Sequence, residues 1–377
     1  MIYFDNAATG GFKPYASISA AENVIHNINA NPGRSGHYLS ILGAKNVNTC
    51  RENVAKMFGA QSQRVIFTKN CTEALNLAIF GCYKKGGRVI TTCYEHNSVL
   101  RPLYYLQSCG LISLDIACPE KDKPLYKIIE EKINKDVCLI VCSAISNVTG
   151  EILPIEQIGR VAQKNNIPYL IDGAQGGGHI QLDINECHAS MIALAGHKGL
   201  YGIMGSGILV LNNHINLKPL IFGGTGTETF NLSQPSSYPE YLESGTLNLP
   251  AIASLSEGIN FVSRNINNFG ETLLEHTKKL IFELVNIKSV KCYSFANPAG
   301  IVAFSLNNCP SNELADILNC QFDIGVRGGF HCAPLTHKYL GTSSDGLVRV
   351  SLAVQNNLNE INYFIKSIKT ISKQIAP

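Results

Sequence analysis

"MIALAGHKGLYGIMGSGILVL", residues 191–211, runs apolar up to His197-Lys198, breaks into glycines and resumes as a second apolar run. Two short β-rich runs so close together read as neighbouring strands of a buried sheet. The lysine between them needs a reason, because lysine is rarely placed inside a fold unless it is paired or has chemistry to perform.

The same texture extends outward. "RVIFT" (64–68) precedes the helical pattern "TEALNLAIFGCYKKGG". "RVITT" (88–92) precedes a helical segment from His96 to about Cys109. "DVCLIVCSAI" (136–145) precedes a helix starting near Pro154, and "IPYLIDGA" (167–174) ends in a turn. Strands that are apolar on both faces and alternate with helices predict an α/β fold with a large, doubly wound, mainly parallel sheet. After residue 250 the pattern changes: a helical stretch over 251–287, short strands at "GIVAFSL" and "GLVRVSL", a helix near 311–320 and a terminal helix from 358. We expect a large domain over 16–250, and a smaller α+β domain built from 1–15 and 251–377.

With 45% hydrophobic and 16% charged residues and a net charge of +3, the 377-residue chain has the balance of a globular protein. The small charge and the lack of a Lys/Arg run argue against a nucleic-acid or membrane-surface partner. No apolar run reaches the length of a membrane span, and no secretory signal pattern opens the sequence. The 13 cysteines are scattered, without a CxxC pair or a Cys/His ladder. They predict a reducing cytoplasm, no disulfide framework and no metal site.

In open α/β sheets, ligands sit beyond the carboxyl ends of the strands. The residues just past those ends are Asn70-Cys71-Thr72, Glu95-His96, Ser146-Asn147, Asp172 with Gln175, and His197-Lys198. Singly, each suits a cap, a turn or a snorkelling stem. Together they suit pyridoxal 5'-phosphate (PLP), which needs a Schiff-base lysine, an acid for its ring nitrogen and a phosphate cup. In that reading Lys198 forms the Schiff base, and Asp172 pairs with the ring nitrogen. His96 stacks on the ring, and Gln175 bonds its oxygen. The Cys71-Thr72 helix start and His197 take the phosphate. No GxGxxG follows the first strand in the context a dinucleotide site requires.

"YFDNAAT", "NCTEALN", "YEHNS", "SNVTGE", "IDGAQ", "GHKGLYG", "ESGTLN", "RGGFHCAPL" and "VRVSLAVQNN" follow one another in the order found in PLP enzymes of class V aminotransferase fold. The chain resembles their cysteine desulfurase and selenocysteine lyase branch over nearly its whole length. The resemblance implies PLP-dependent transferase fold type I and a homodimer with shared active sites, in which Thr246 reaches the partner's cofactor phosphate. It implies that Arg349 and Asn147 grip the substrate carboxylate, and that Cys332 carries a persulfide formed from L-cysteine and passes it to a thiol acceptor protein. The segment around Cys332 is short, like that of the ordered-loop type, and the adjacent His331 is a candidate to lower the thiol pKa. Ala195 and Cys71 depart from commoner forms of the motifs. Arg34 and His37, in "NPGRSGHYLS", are further candidates for the substrate pocket. Selenocysteine lyase, cysteine sulfinate desulfinase, another PLP-dependent lyase or aminotransferase, and a non-catalytic sulfur-relay or regulatory subunit remain alternatives.

Overall fold

The structure, a computed structural model, describes residues 1–375. A seven-stranded sheet forms its centre. In chain order its strands are β2 (Val65–Thr68), β3 (Gly87–Thr92), β4 (Ile112–Ala117), β5 (Val137–Ser143), β6 (Tyr169–Asp172), β7 (Met191–Ala195) and β8 (Gly207–Leu211), after the short β1 (Ile2–Tyr3). The spatial order is β2-β8-β7-β6-β5-β3-β4, and only β8 runs against its neighbours. The mainly parallel sheet expected from the sequence is present.

Helices α1 (Tyr15–Asn27), α2 (Tyr38–Phe58), α3 (Cys71–Cys82), α4 (Asn97–Ser108), α5 (Leu125–Lys132) and α6 (Ile155–Lys164) accompany these strands. Two apolar clusters form, one holding Ile140, Ile171 and Ile192, the other Leu139, Leu170 and Met191. Consecutive strand residues thus enter different cores, as the two-residue period dictates. All seven residues of β5 are buried, and each large apolar one contributes about 1.5–3 kcal/mol relative to exposure.

The stretch 251–287 is two helices, not one: α7 (Leu249–Ser263) and α8 (Ile266–Val285). Asn265, at the break, donates its side-chain amide to Phe261 O at 2.8 Å, a local bond that competes with helix continuation. Ile252, Leu255 and Ile259 of α7 belong to a core of the large sheet. Leu273, Leu280 and Leu284 of α8 join a separate core. That second core also holds strands β10 (Ile301–Leu306) and β12 (Val348–Ser351), with β9 (Val290–Cys292) at the sheet edge. Helices α9 (Ser311–Phe322), α10 (Pro334–Leu340) and α11 (Leu358–Ile375), with the short β11 (Ile324–Gly325) paired to β1, complete the fold. Strand β4 has no counterpart in the sequence reading. It is a partly buried edge strand in which Ile112, Leu114 and Ile116 alternate with Ser113 and Asp115, whereas the sequence reading sought runs apolar on both faces. Among the described residues no helix is long and apolar enough to cross a membrane.

Candidate active site

The carboxyl ends of β3, β5, β6 and β7, with the start of α3, surround a cleft of about 100 Å³. Cys71, Thr72, His96, Asn147, Asp172, Gln175, Ala195, His197 and Lys198 line it. The residues picked from strand ends therefore meet in one place.

Lys198 follows the turn after β7, at the cleft wall. Burial lowers its pKa from the ordinary lysine value, while Cys71 and Asp172 oppose that shift. Its neutral amine is thus more available than that of a surface lysine. Asp172 ends β6 and is 4% exposed. Its Oδ1 accepts from Ala174 N at 2.9 Å and from the Cys71 thiol at 3.7 Å. Among the described residues no group donates to Oδ2, and burial raises the carboxyl pKa. The pocket thus offers a carboxylate that a cationic N–H donor would complement.

Helix α3 begins directly after β2 because Asn70 caps it, accepting from Glu73 N at 2.9 Å. The uncapped N–H groups of Cys71 and Thr72 and the positive end of the helix dipole create an anion site. Beside it, Thr72 Oγ1 lies 2.8 Å from Ser98 Oγ, which lies 2.9 Å from His96 Nδ1. Ser98 N donates to the same Nδ1 at 3.0 Å, so Nδ1 is an acceptor and the neutral ring carries its proton on Nε2. Burial first, then the positive charge of Lys198, pushes His96 down to about 4.

His197 is held by the N-terminal segment. Its Nδ1 lies 3.0 Å from Thr9 Oγ1, and its carbonyl accepts from Gly10 N at 3.0 Å and from Lys13 Nζ at 2.7 Å. Gln175 donates to Ala7 O at 2.9 Å. Beneath the cleft, Glu95 is fully buried, accepting from Thr92 Oγ1 at 2.6 Å, Ser143 N at 3.0 Å and Ser143 Oγ at 2.8 Å. Burial outweighs these donors and raises it to about 7.

Cys332 stands on a loop tied to the cleft rim. Its carbonyl accepts from Asn97 N at 2.7 Å, and the carbonyl of His331 accepts from Asn147 Nδ2 at 2.7 Å. His331 and Cys332 both have left-handed backbones, with φ of 51° and 57°, a conformation that costs non-glycine residues energy and is kept where surroundings enforce it. The expectation that His331 activates the thiol is corrected. Its ring is buried and bonded to Arg327 O at 3.2 Å, and burial pushes it down to about 2. The charged neighbour is Arg327, whose Nη2 lies 3.8 Å from Cys332 Sγ.

Arg349 is buried, as expected of an inward-facing strand arginine, but it already has partners. Nη1 donates to Asn147 O at 2.9 Å and Nη2 pairs with Asp5 at 2.8 Å. Thr246 is exposed and lines a different cleft with Lys69 and Glu73. The bidentate Arg51–Glu243 pair holds the chain just before it. Arg34 lies away from the Lys198 cleft and donates to Gly224 O, while His37 caps α2 through Ser40 N at 3.3 Å. Within one chain, neither Thr246, Arg34 nor His37 joins the cleft lining.

The class-V aminotransferase model matches residues 2–364. The chain belongs to that family. Among class-V relatives, probable cysteine desulfurases of Methanothermobacter thermautotrophicus and Pyrococcus abyssi are each 30% identical, covering 98% and 100% of this chain and 94% and 95% of their own. The apo structure of a cysteine desulfurase from Thermococcus onnurineus NA1 is 30% identical, with a TM-score of 0.93 over 99% of this chain and 95% of that one. The Escherichia coli cysteine desulfurase CsdA, at 23% identity and a TM-score of 0.88, shares the fold. In this class-V chain the sequence reading missed Asp5, Thr9, Lys13, Ser98 and Arg327. The first three lie in or just after the quoted "YFDNAAT" motif, Ser98 lies in "YEHNS", and Arg327 opens "RGGFHCAPL", though only the loop backbone turns its guanidinium onto the thiol five residues on.

Proposed function

We propose that this protein is a PLP-dependent cysteine desulfurase that takes sulfur from L-cysteine as a persulfide on Cys332 and releases L-alanine. The observation that carries the reading is the meeting of Lys198 and Asp172 in one cleft whose rim is hydrogen-bonded to the backbone of Cys332. The names of the relatives support it. The donor set fits the cofactor: a buried amine with a lowered pKa, a carboxylate oxygen without a donor among the described residues, and a helix start for the phosphate. When bound, PLP supplies an electrophilic carbon and an electron sink for the bonds at the substrate α-carbon.

Lys198 Nζ would anchor the cofactor and, as a neutral amine, would take up the α-proton. Asp172 Oδ2 would hold a proton at the ring nitrogen, with Cys71 and Ala174 fixing the carboxylate through Oδ1. Thr72, the Cys71 N–H and His197 would bind phosphate, Gln175 would bond the ring oxygen, and His96 would stack on the ring. Arg349 and Asn147 orient the substrate carboxylate. Cys332 Sγ attacks the substrate sulfur: an S–S bond forms, the Cβ–S bond breaks, and protonation of carbon yields alanine. Enzyme thiol plus cysteine thus becomes enzyme persulfide plus alanine, and an acceptor thiol then takes the terminal sulfur.

We further infer a homodimer that brings Thr246 to the partner's site. The exposed residues Leu220, Ile221, Phe222, Phe230 and Leu232 offer an apolar face on the same stretch of chain. Thirteen free thiols support a reducing, cytoplasmic setting.

The test is alanine release from L-cysteine by the PLP-loaded protein with a thiol reductant, in wild type and Cys332→Ala. Catalytic alanine and sulfide that collapse in the variant support the reading. Full activity in the variant removes the persulfide role. Alanine only from selenocysteine or cysteine sulfinate moves the substrate to one of those compounds.

A further inference from the structure

The β3–β4 pair ends in two thiols that the reaction does not use. Its parallel register runs from Gly87 opposite Ile112 to Thr92 opposite Ala117. One step on, Cys93 N donates to Ala117 O at 2.9 Å. In a parallel ladder a residue bonded to that carbonyl stands opposite the next position, which sets Cys93 opposite Cys118. Opposed residues point to the same face, and adjacent strands lie about 4.8 Å apart, inside the Cα separation a disulfide spans. Both residues also reach one apolar cluster: Cys93 belongs to a main core and Cys118 packs at its margin. Cys118 lies close enough to act on the Cys93 thiol, adding to the rise of its pKa.

The ladder stops here because Pro119 has no N–H. The Cys93 carbonyl instead accepts from Thr336 Oγ1 of α10 at 2.9 Å. Cys93 is 1% exposed, while Cys118 is partly open. Burial, with Cys118 adding to it, raises the Cys93 pKa and keeps that thiol protonated. Oxidation therefore begins on the open side.

We propose that Cys93 and Cys118 form a redox modification site, closed to a disulfide by a hydroperoxide and reopened by thiols. In the first step the Cys118 sulfur is oxidised to sulfenic acid while hydrogen peroxide is reduced to water. Cys93 Sγ then attacks Cys118 Sγ, the S–O bond breaks, and a second water leaves with the thiol proton. Two thiols and one peroxide become one disulfide and two waters. The bond lies under α10, the helix that follows Cys332, and three residues before His96. This inference is independent of the proposed reaction.

The PLP-loaded Cys332→Ala protein, used so that Cys332 does not itself react, is treated with stoichiometric hydrogen peroxide, alkylated and digested without reduction. Mass spectrometry is expected to find the Cys93 and Cys118 peptides joined with the loss of two hydrogen masses. Dithiothreitol separates them, and an added Cys118→Ser substitution, at a partly open position, abolishes the link. Alkylated Cys93 and Cys118 beside oxidised Cys109 or Cys320 overturn the proposal. So does a Cys93–Cys142 link, or Cys118 driven to sulfinic acid with Cys93 free.

Discussion

Arg349 spends one arm of its guanidinium on Asp5 and the other on Asn147 O, so a substrate carboxylate must compete with, or share, the carboxylate already there. Asp5→Asn removes the competing charge. It is expected to lower KM for L-cysteine several-fold and to cost about 2–3 kcal/mol of stability, since a buried guanidinium loses its counter-ion. Unchanged KM, or an increase, means that Asp5 aims the arginine instead. Lys198→Ala should lower alanine formation by about 10³-fold without shifting the thermal unfolding midpoint of the cofactor-free protein downward, because Nζ makes no hydrogen bond to the described residues. Glu95 gives a pH signature. Its folded pKa, raised to about 7 from 4.5, means that the native state holds a proton that the unfolded chain releases. Stability from this group is complete below 4.5 and declines as pH rises to about 7, by at most about 1.4 kcal/mol per unit. Glu95→Gln should flatten that decline in urea titrations; an unaltered slope assigns it to other groups.

At the scale of elements, the site depends on how closely β8 passes the α3 N-terminus. A Cβ on Gly207 would meet the Asn70 backbone carbon at 2.3 Å. Gly207→Ala is therefore expected to displace the cap of α3, to cost about 1–3 kcal/mol, and to weaken PLP affinity measured by equilibrium dialysis. Retained affinity would show that the helix start tolerates the shift. The strand-end residues were legible in the sequence because a buried parallel strand announces itself by composition, and its ligand-bearing end follows by rule. Strand β4 was passed over, since its alternation of Ile112, Leu114 and Ile116 with Ser113 and Asp115 marks a strand with one apolar face rather than the continuous apolar run of a central strand. Nor was the break at Asn265: both helices carry an apolar face, and only a side-chain bond to Phe261 O separates them. The pairing of Arg327 with Cys332 arises from loop geometry, on which periodicity is silent.

For the whole molecule, the sequence spoke clearly about layers and poorly about contacts between distant segments. Thr246 stands outside the Lys198 cleft of its own chain, so the phosphate role proposed for it requires the proposed dimer. Sedimentation of wild type should give the dimer mass. Paired Phe230→Asp and Leu232→Asp substitutions, at two fully exposed apolar positions, should produce monomers with weakened phosphate binding. Dimers that persist place the interface elsewhere. One last consequence comes from the N-terminal segment. Asp5 and Asn6 bond residues 349 and 351, and Thr9, Gly10 and Lys13 clasp His197. On the ribosome, where synthesis runs at about 5–20 residues per second, Thr9, Gly10 and Lys13 lack His197 until about half of the chain is made, and Asp5 and Asn6 lack residues 349 and 351 until nearly all of it is. The N-terminal segment is thus fastened in two stages of biosynthesis: its later part meets the Lys198 turn midway, and its first residues are held only once β12 has emerged.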